Sequence, residues 1–438
     1  MTAFIIVWIG QIISILASGM SQFALTIWMY QQTKSPMAMS LMTVFYITPF
    51  LLLSPFAGVM VDRYNRKLMM MVSDLTAVLA TAAIFILAAT HHLEFWHLYV
   101  TAILYGIGNT FQWPAYSAVI STLVPKEQLG RVNGFMTLME AGPGVAAPIL
   151  AGALLPVIGI ANILAIDVAT FFLAIGALVI VHIPQPRKTD EGQQKSGNVW
   201  SEAAYGFTYI FARPGLLGLQ LIYFVGNLFS GITFTIMAPM ILSRTNNSVI
   251  FGSVQSAMAV GMVLGGLLMG IWGGFKRRVN GVLLGWIATS FLGMFLLGIG
   301  QNVVWWVAAM ALSGLVIPVL DGSNQAIWQS KVAPDLQGRV FSARRLIAWF
   351  AQPIAPVIGG ALAEYVLEPA MQTQSVLAGL FGGMVGNVPG SGMSLLMIFC
   401  GLAGMIAGLS GYFIPAIRNV EDILPDHDQL APAETPAA

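Results

Sequence analysis

Apolar runs of about 20 residues recur along the whole chain, separated by short polar intervals. At a rise of 1.5 Å per residue, a helix of that length crosses the roughly 30 Å hydrocarbon core of a bilayer. The pattern therefore predicts an all-α integral membrane protein with twelve transmembrane helices. Numbered in chain order as spans 1 to 12, these are 5–30, 37–60, 67–90, 96–121, 129–156, 159–183, 215–242, 249–274, 279–300, 303–330, 338–367 and 391–416.

The basic residues between the spans fall almost entirely in alternate intervals. One alternating set holds fifteen lysines and arginines, whereas the other holds only Lys34 and Arg244. Because basic loops stay on the cytoplasmic side of a membrane, we expect the first set and both chain termini to be cytoplasmic. The chain is then a multi-pass protein of the cell's inner (plasma) membrane.

The longest polar interval divides the chain into two six-span halves. Residues 1–183 form the first half and 215–417 the second. Between them, 184–214 is predicted to be a cytoplasmic linker that contains a short amphipathic helix at 199–212. The acidic, Pro- and Ala-rich tail at 418–438 is predicted to be disordered and cytoplasmic.

The two halves share a sequence repeat at an offset of 208 residues. The segment 124–132, which contains Gly130-Arg131, recurs as 332–340 with Gly338-Arg339. Further matches in the same register are Gly106 with Gly314, Pro148 with Pro356 and Gly152 with Gly360. A Gly-Arg pair after a polar loop is also a generic helix start, but the additional matches favour two parallel repeats of one six-helix unit.

Composition supports a membrane protein and argues against several other classes. Hydrophobic residues make up 57% of the chain and charged residues 8%, with a mean hydropathy of +0.80. The single cysteine, Cys400, excludes an internal disulfide. No nucleophile–base arrangement stands out, so we expect no enzyme, no cofactor, no resident metal and no nucleic-acid partner. The expected partners are the lipid bilayer, protons and an amphipathic small molecule, and we expect a monomer.

A histidine cluster lies in the interval between spans 3 and 4. His91, His92 and His97, with Glu94, could bind a metal. An interfacial loop anchored by the aromatic residues Trp96 and Tyr99 is the favoured interpretation.

Polar residues fall at helical spacing on one face of four spans that are three apart. A one-sided polar stripe indicates a wet cavity or a buried helix contact, since polar groups are costly in lipid. Interhelical hydrogen bonds without a ligand are the alternative for any single stripe. The stripes are Gln11, Ser14, Ser18 and Gln22 in span 1; Tyr105, Asn109, Gln112 and Tyr116 in span 4; Gln220, Tyr223, Asn227 and Ser230 in span 7; and Asp321, Gln325 and Trp328 in span 10. Trp113, Arg344 and Arg345 are further candidates for the lining of a substrate cavity.

Three acids inside spans are candidates for proton coupling: Glu140, Asp167 and Asp321. Glu140 is the leading candidate because it lies close to the bilayer midplane, where a carboxyl that can take up a proton suits a proton-coupled carrier. A structural role is favoured for Asp167. Asp321 could instead form a neutralised buried pair with Arg344 or Arg345.

Four charges fall within residues 58–67, between spans 2 and 3. The spacing of Gly58, Asp62, Arg63 and Arg66 resembles the signature between the second and third helices of major facilitator superfamily transporters. The segments 7–14, 165–167 and 338–342 are similar to bacterial macrolide-efflux proteins and to the enterobactin-exporter branch. The resemblance covers nearly the whole chain up to Arg418. It implies proton-driven export of amphipathic compounds.

The resemblance also implies roles for individual residues. Gly58, Asp62, Arg63 and Arg66 would form a cytoplasmic gate motif in which Asp62 engages the start of span 11, at Gly338. An anion near a helix N-terminus is favourable, which makes that role chemically sensible. The chain departs from the family pattern at Tyr105, where an arginine is usual, and at Gly274, where the second-half gate would carry an acid.

Two other functions are compatible with the sequence. A siderophore or lysophospholipid transporter of the same fold is the alternative within the class. A non-transporting membrane receptor or scaffold is the alternative from another class, and the intact Asp62-Arg63 pair argues against it.

Overall fold

A computed structural model describes residues 2–63, 65–123, 129–181, 199–332, 334–372 and 375–426. In these segments all regular secondary structure is helical. Ten stretches within them are long and apolar enough to cross a membrane. One of the ten, Gly142–Ile180, overlaps the two predicted spans 5 and 6, and the helix of span 4 is not among the ten. The predicted all-α membrane fold is confirmed.

Every predicted span coincides with a helix, with part of a helix or with several consecutive helical pieces. In chain order the helices are Thr2–Thr33 (span 1), Pro36–Arg63 (span 2), Arg66–Ala89 (span 3), Phe95–Leu123 (span 4), Leu129–Ile180 (spans 5 and 6), Val199–Phe211, Pro214–Thr245 (span 7), Ser248–Trp272 (span 8), Arg278–Ser290 with Phe291–Phe295 and Leu296–Ile299 (span 9), Val303–Lys331 (span 10), Pro334–Trp349 with Ile354–Ala361, Leu362–Leu367 and Glu368–Gln372 (span 11), Val376–Val385, Ser391–Phe413 (span 12), Pro415–Arg418 and Val420–Ile423. Phe291–Phe295 and Leu362–Leu367 are π-helical turns.

Spans 5 and 6 are joined by a sharp turn at Gly159. Its φ of +74° lies in the left-handed region, which side chains other than glycine rarely adopt. The turn allows two spans to follow each other with almost no connecting loop.

The helix of span 11 is interrupted within the predicted limits 338–367. The first helical piece ends at Trp349 and the next begins at Ile354. Pro353 and Pro356 lack the N–H that an i→i−4 bond needs, and each ring clashes with the preceding turn. Span 11 is therefore built from several consecutive helical pieces, and the stretch Ala343–Gln372 is still long and apolar enough to cross a membrane.

By contacts, the chain forms two compact units that do not follow the sequence halves. Unit 1 comprises Met1–Arg187, Phe234–Ala259 and Gln352–Leu396, and unit 2 comprises Lys188–Thr233, Val260–Ala351 and Met397–Ala438. The division into the halves 1–183 and 215–417 stays a prediction.

The 208-residue repeat is visible in two helix contacts inside unit 1. A Cβ added to Gly152 would lie 3.0 Å from the carbonyl oxygen of Ser248, and one added to Gly360 would lie 2.4 Å from Oγ of Ser40. Gly152 and Gly360 are 208 residues apart, and so are Ser40 and Ser248. Span 5 therefore packs on the start of span 8, and span 11 on the start of span 2, at positions that the repeat makes equivalent.

In unit 2, the segment after span 12 is docked rather than disordered as far as residue 426. Lys331 Nζ lies 2.7 Å from a carboxylate oxygen of Asp426 and also donates to the carbonyls of Glu421 and Leu424. Ile417 and Val420 are buried in the apolar core of the unit. This corrects the predicted disorder for 418–426, and the rest of the tail, 427–438, lies outside the described residues.

Candidate functional site

Unit 1 contains a partly open cavity of about 590 Å³. Its wall is formed by spans 1 to 6 and the beginning of span 8. This volume lies within the range of about 300–1,000 Å³ that is typical of small-molecule sites. The lining combines amides and hydroxyls with the rings of Phe23, Phe171 and Phe251.

The polar stripe of span 1 faces this cavity. Gln11, Ser14, Ser18 and Gln22 all line it, and the first three are buried. One face of a helix presents residues at intervals of three or four, which is the spacing of these side chains. The stripe therefore lies at a cavity wall, and its role in binding a substrate stays a prediction.

The polar stripe of span 4 faces the same cavity. Tyr105, Asn109 and Gln112 line the cavity. Asn109 Nδ2 donates to the hydroxyl of Tyr46 at 2.7 Å, which ties span 4 to span 2. The side chains of Trp113 and Tyr116 lie outside the described part of the structure.

Among the described lining residues the one carboxylate is Asp74 in span 3, a residue that was not among the acids predicted from the sequence. It accepts hydrogen bonds from Gln11 Nε2 at 3.1 Å and from Gln112 Nε2 at 2.9 Å. The two amides also bond to each other, at 3.0 Å. An ionisable residue inside a span is by default a functional candidate, so its position eight residues into span 3 was the available signal.

Asp167 of span 6 is fully buried and is bonded to the same stripe of span 1. Ser18 Oγ donates to Asp167 Oδ1 at 2.9 Å. This contact ties span 6 to span 1, and the role of Asp167, in packing or in proton transfer, stays a prediction. The side chain of Glu140 is outside the described residues.

In unit 2, the predicted residues of spans 7 and 10 meet each other. The hydroxyl of Tyr223 donates to the carbonyl of Leu320 at 3.1 Å and lies 3.3 Å from Asp321 Oδ1. Asp321 itself is exposed. No direct salt bridge joins it to Arg344 or Arg345, all of which the structure describes.

The arginines of span 11 make other contacts. Arg344 donates to Gln325 Oε1 at 2.9 Å, and its guanidinium lies 5.2 Å from the ring centre of Trp328. Arg345 is exposed and lies 4.3 Å from the ring centre of Trp349. Asn227 donates to the backbone carbonyl of Ala348 at 3.2 Å.

Trp328 is not placed to line a cavity. It is 0% exposed, lies in the apolar core of unit 2 and donates its indole N–H to Asn324 Oδ1 at 3.0 Å. Helical spacing puts Trp328 on the same face as Asp321 and Gln325, but the neighbouring helices cover that part of the face. Its assignment to a substrate cavity is corrected to a packing role.

The surroundings of all five predicted gate residues lie outside the described part of the structure; these are Gly58, Asp62, Arg63, Arg66 and Gly338. At the neighbouring position, Lys67 Nζ donates to the carbonyls of Val179 at 3.1 Å and Val181 at 2.9 Å. A lysine is favourable at these carbonyls because the C-terminal end of a helix carries partial negative charge.

The histidine-containing interval between spans 3 and 4 forms a local hydrogen-bonded loop. Glu94 N–H donates to His97 Nδ1 at 3.0 Å, and the Trp96 indole donates to the Glu94 carboxylate at 2.7 Å. Among the described residues, no three His, Cys, Asp or Glu side chains converge as metal ligands.

The helical fold and the polar cavity fit the resemblance to major facilitator superfamily transporters that the charged residues within 58–67 indicate. Residues 7–356 match the family model described as Major Facilitator Superfamily. The chain belongs to the Major Facilitator Superfamily. It is therefore a multi-pass membrane transporter and not an enzyme.

Individual relatives place this transporter near drug and siderophore exporters of the superfamily. It is 30% identical over 376 residues to Macrolide efflux protein A of Streptococcus pyogenes, covering 83% of this chain and 90% of that protein. It is 23% identical over 363 residues to the enterobactin exporter EntS of Escherichia coli O139:H28, covering 82% of this chain and 84% of that protein. The resemblance to both groups is confirmed.

A solved structure agrees on the fold of this transporter. The structure of a bacterial homologue of the human lysosomal transporter Spinster has a TM-score of 0.71 at 14% identity, and the match covers 96% of this chain and 98% of that one. At this identity the similarity shows the shared fold alone.

Proposed function

We propose that this transporter exports amphipathic small molecules, macrolide-like drugs or natural products, across the plasma membrane in exchange for protons. The observation that carries the proposal is the cavity in unit 1. The amide groups of residues such as Gln11 and Gln112 line this cavity together with aromatic rings. Such a lining suits bulky, weakly polar ligands. The 30% identity to Macrolide efflux protein A supports the same class of substrate.

Export would proceed by alternating access, in which the two repeats rock around a central site. The gate motif around Asp62 would control the cytoplasmic side, with both termini in the cytoplasm. Glu140 is the first candidate for carrying the proton, followed by Asp321 and Asp167. Protons, the bilayer and the exported compound are the partners in this scheme, and the transporter works in it as a monomer.

A siderophore is the second candidate substrate. The similarity to the enterobactin exporter favours it, because the match extends over 82% of the chain. The two candidates differ in the compound that accumulates when the protein is absent.

Accumulation in cells tests both the export and its energy source. Cells that express the transporter should retain less of an amine-bearing macrolide such as erythromycin than cells without it, and a protonophore should abolish the difference. Export would be refuted if cells with and without the transporter accumulated equal amounts of macrolides, of other amphipathic drugs and of siderophores. Export that persists with the protonophore would refute proton coupling alone.

A further inference from the structure

The cavity of unit 1 contains one carboxylate among its described lining residues. Asp74 is 5% exposed and sits on the cavity wall. Each of its two oxygens accepts one amide N–H, Oδ2 from Gln11 and Oδ1 from Gln112. A carboxylate has about four acceptor positions, so two remain for a further donor.

Among the described lining residues, no basic side chain balances this acid. None of the described lining residues is lysine, arginine or histidine, and no ion pair to Asp74 occurs among the described residues. The amides of Gln11 and Gln112 are neutral, so they can orient the carboxylate but cannot cancel its charge. A buried charge without a partner is costly, and a charge of opposite sign that enters the cavity lowers that cost.

The rest of the wall also suits a cation. The rings of Tyr46 and Tyr105 lie 6.0 Å apart, and the rings of Phe23 and Phe251 are stacked at 4.9 Å, all on the cavity lining. Aromatic faces attract organic cations through their quadrupole, and they provide an apolar surface for the remainder of an amphipathic molecule. At about 590 Å³, the space accommodates a drug-sized cation.

We propose that Asp74 makes this cavity selective for amphipathic organic cations, such as compounds that carry one protonated amine. The proposal rests on the proposed function and deepens it, because it names the charge of the exported compounds. Asp74 acts in it as a direct ligand of the positive group. A neutral or anionic compound of the same size gains nothing from this contact and is bound more weakly.

Two lipophilic ions of nearly equal shape and opposite charge provide the test. Equilibrium binding of tetraphenylphosphonium and of tetraphenylborate is measured on the full-length protein purified in detergent. The wild type should bind the phosphonium at least about tenfold more tightly than the borate, which corresponds to about 1.4 kcal/mol. Asp74→Asn should remove most of this preference by weakening the phosphonium complex, while Asp74→Glu should retain it.

Glu94→Gln is the matched control, since it removes an acid from the exposed loop between spans 3 and 4. It should leave the preference unchanged. A wild-type protein without preference, or an Asp74→Asn protein that keeps the wild-type preference, would overturn the proposal. If Asp74→Asn fails to fold, a wild-type protein without preference still overturns the proposal, and loss of the preference in Asp74→Ala with its return in Asp74→Glu supports it. Failure of the proposed function would show as a lack of energy-dependent export by wild-type cells. The binding measurement uses purified protein and does not depend on export.

Discussion

At the scale of single residues, polar side chains connect the spans of unit 1. Ser18 of span 1 donates to Asp167 of span 6, and Ser73 of span 3 donates to the carbonyl of Gly108 in span 4 at 2.7 Å. Inside a membrane such bonds contribute modestly, about 0.6 kcal/mol on average, because the unfolded chain also finds partners there. Their main effect is to fix which faces of the helices meet.

Substitution of Asp167 separates packing from proton transfer. Asp167→Leu leaves Ser18 Oγ without its acceptor and should lower the free energy of unfolding by about 1 kcal/mol. Asp167→Asn keeps an acceptor oxygen and should melt close to the wild type, with unchanged pH-gradient-driven uptake. Thermal unfolding in detergent and uptake into proteoliposomes are the two measurements. A structural role would be contradicted if Asp167→Asn abolished uptake without changing the melting temperature.

The sequence predicted many of the cavity residues but not the chemistry of their arrangement. Helical spacing identified the faces of spans 1 and 4, and Gln11, Gln22, Asn109 and Gln112 do line the cavity. Trp328 was misassigned because spacing specifies a helix face and not the neighbour that covers it. Asp74 was missed because it belongs to no stripe, and only the fold brings it to two amides from spans 1 and 4.

At the scale of helices, close packing of spans 8 and 10 in unit 2 depends on a glycine. A Cβ added to Gly265 would lie 2.2 Å from the carbonyl oxygen of Leu315, whereas one added to the adjacent Gly266 would meet nothing within 4 Å. Gly265→Ala should therefore destabilise the protein by about 1–3 kcal/mol, the usual cost of overpacking.

Gly266→Ala is the matched control on the same helix and should leave the stability nearly unchanged. Thermal unfolding of both purified variants is the measurement. Equal melting temperatures for the two variants would show that these helices do not approach as closely as described.

Glu368 holds the beginning of the span 12 helix. Its carboxylate accepts the backbone N–H groups of Gly390, Gly392 and Met393. The first N–H groups of a helix have no partner within it, so an acceptor there stabilises the helix by about 0.5–2 kcal/mol.

Glu368→Ala should lower the free energy of unfolding by about that amount. The control is Gln372→Ala, which removes only the bond between the two side chains. Limited proteolysis near residue 390 gives a local readout. Unchanged cleavage in Glu368→Ala would argue against this capping role.

The spans were predictable because about 20 apolar residues have few alternatives to a transmembrane helix. The interruption of span 11 was within reach as well, since Pro353 and Pro356 occur in the middle of the run. The docking of residues 418–426 could not be predicted, because it depends on Lys331, which lies more than 80 positions earlier in the chain.

At the scale of the whole molecule, the repeat of 208 residues connects sequence and structure. The paired contacts of Gly152 with Ser248 and of Gly360 with Ser40 link spans from different halves within unit 1. Contacts of this kind explain why the compact units cut across the sequence halves. They could not be read from the sequence, which shows the repeat but not which repeated elements touch.

The gate assignment leads to a prediction for the complete transporter. Asp62→Asn should abolish export while the protein still reaches the membrane, because the anion that would engage the start of span 11 is lost. Drug accumulation and membrane immunodetection are measured on the same cells. Wild-type export by this variant would refute the assignment of Asp62 to the gate.

The central claim is that a proton gradient drives the transport of an amphipathic compound by this protein. The most direct measurement is uptake of radiolabelled erythromycin into proteoliposomes with an acidic interior, for the wild type and for Glu140→Gln. We expect uptake by the wild type that stops when the pH gradient is dissipated, and little uptake by Glu140→Gln. Uptake by Glu140→Gln equal to the wild type would make that acid structural, and wild-type uptake that is the same with and without the gradient would contradict the account.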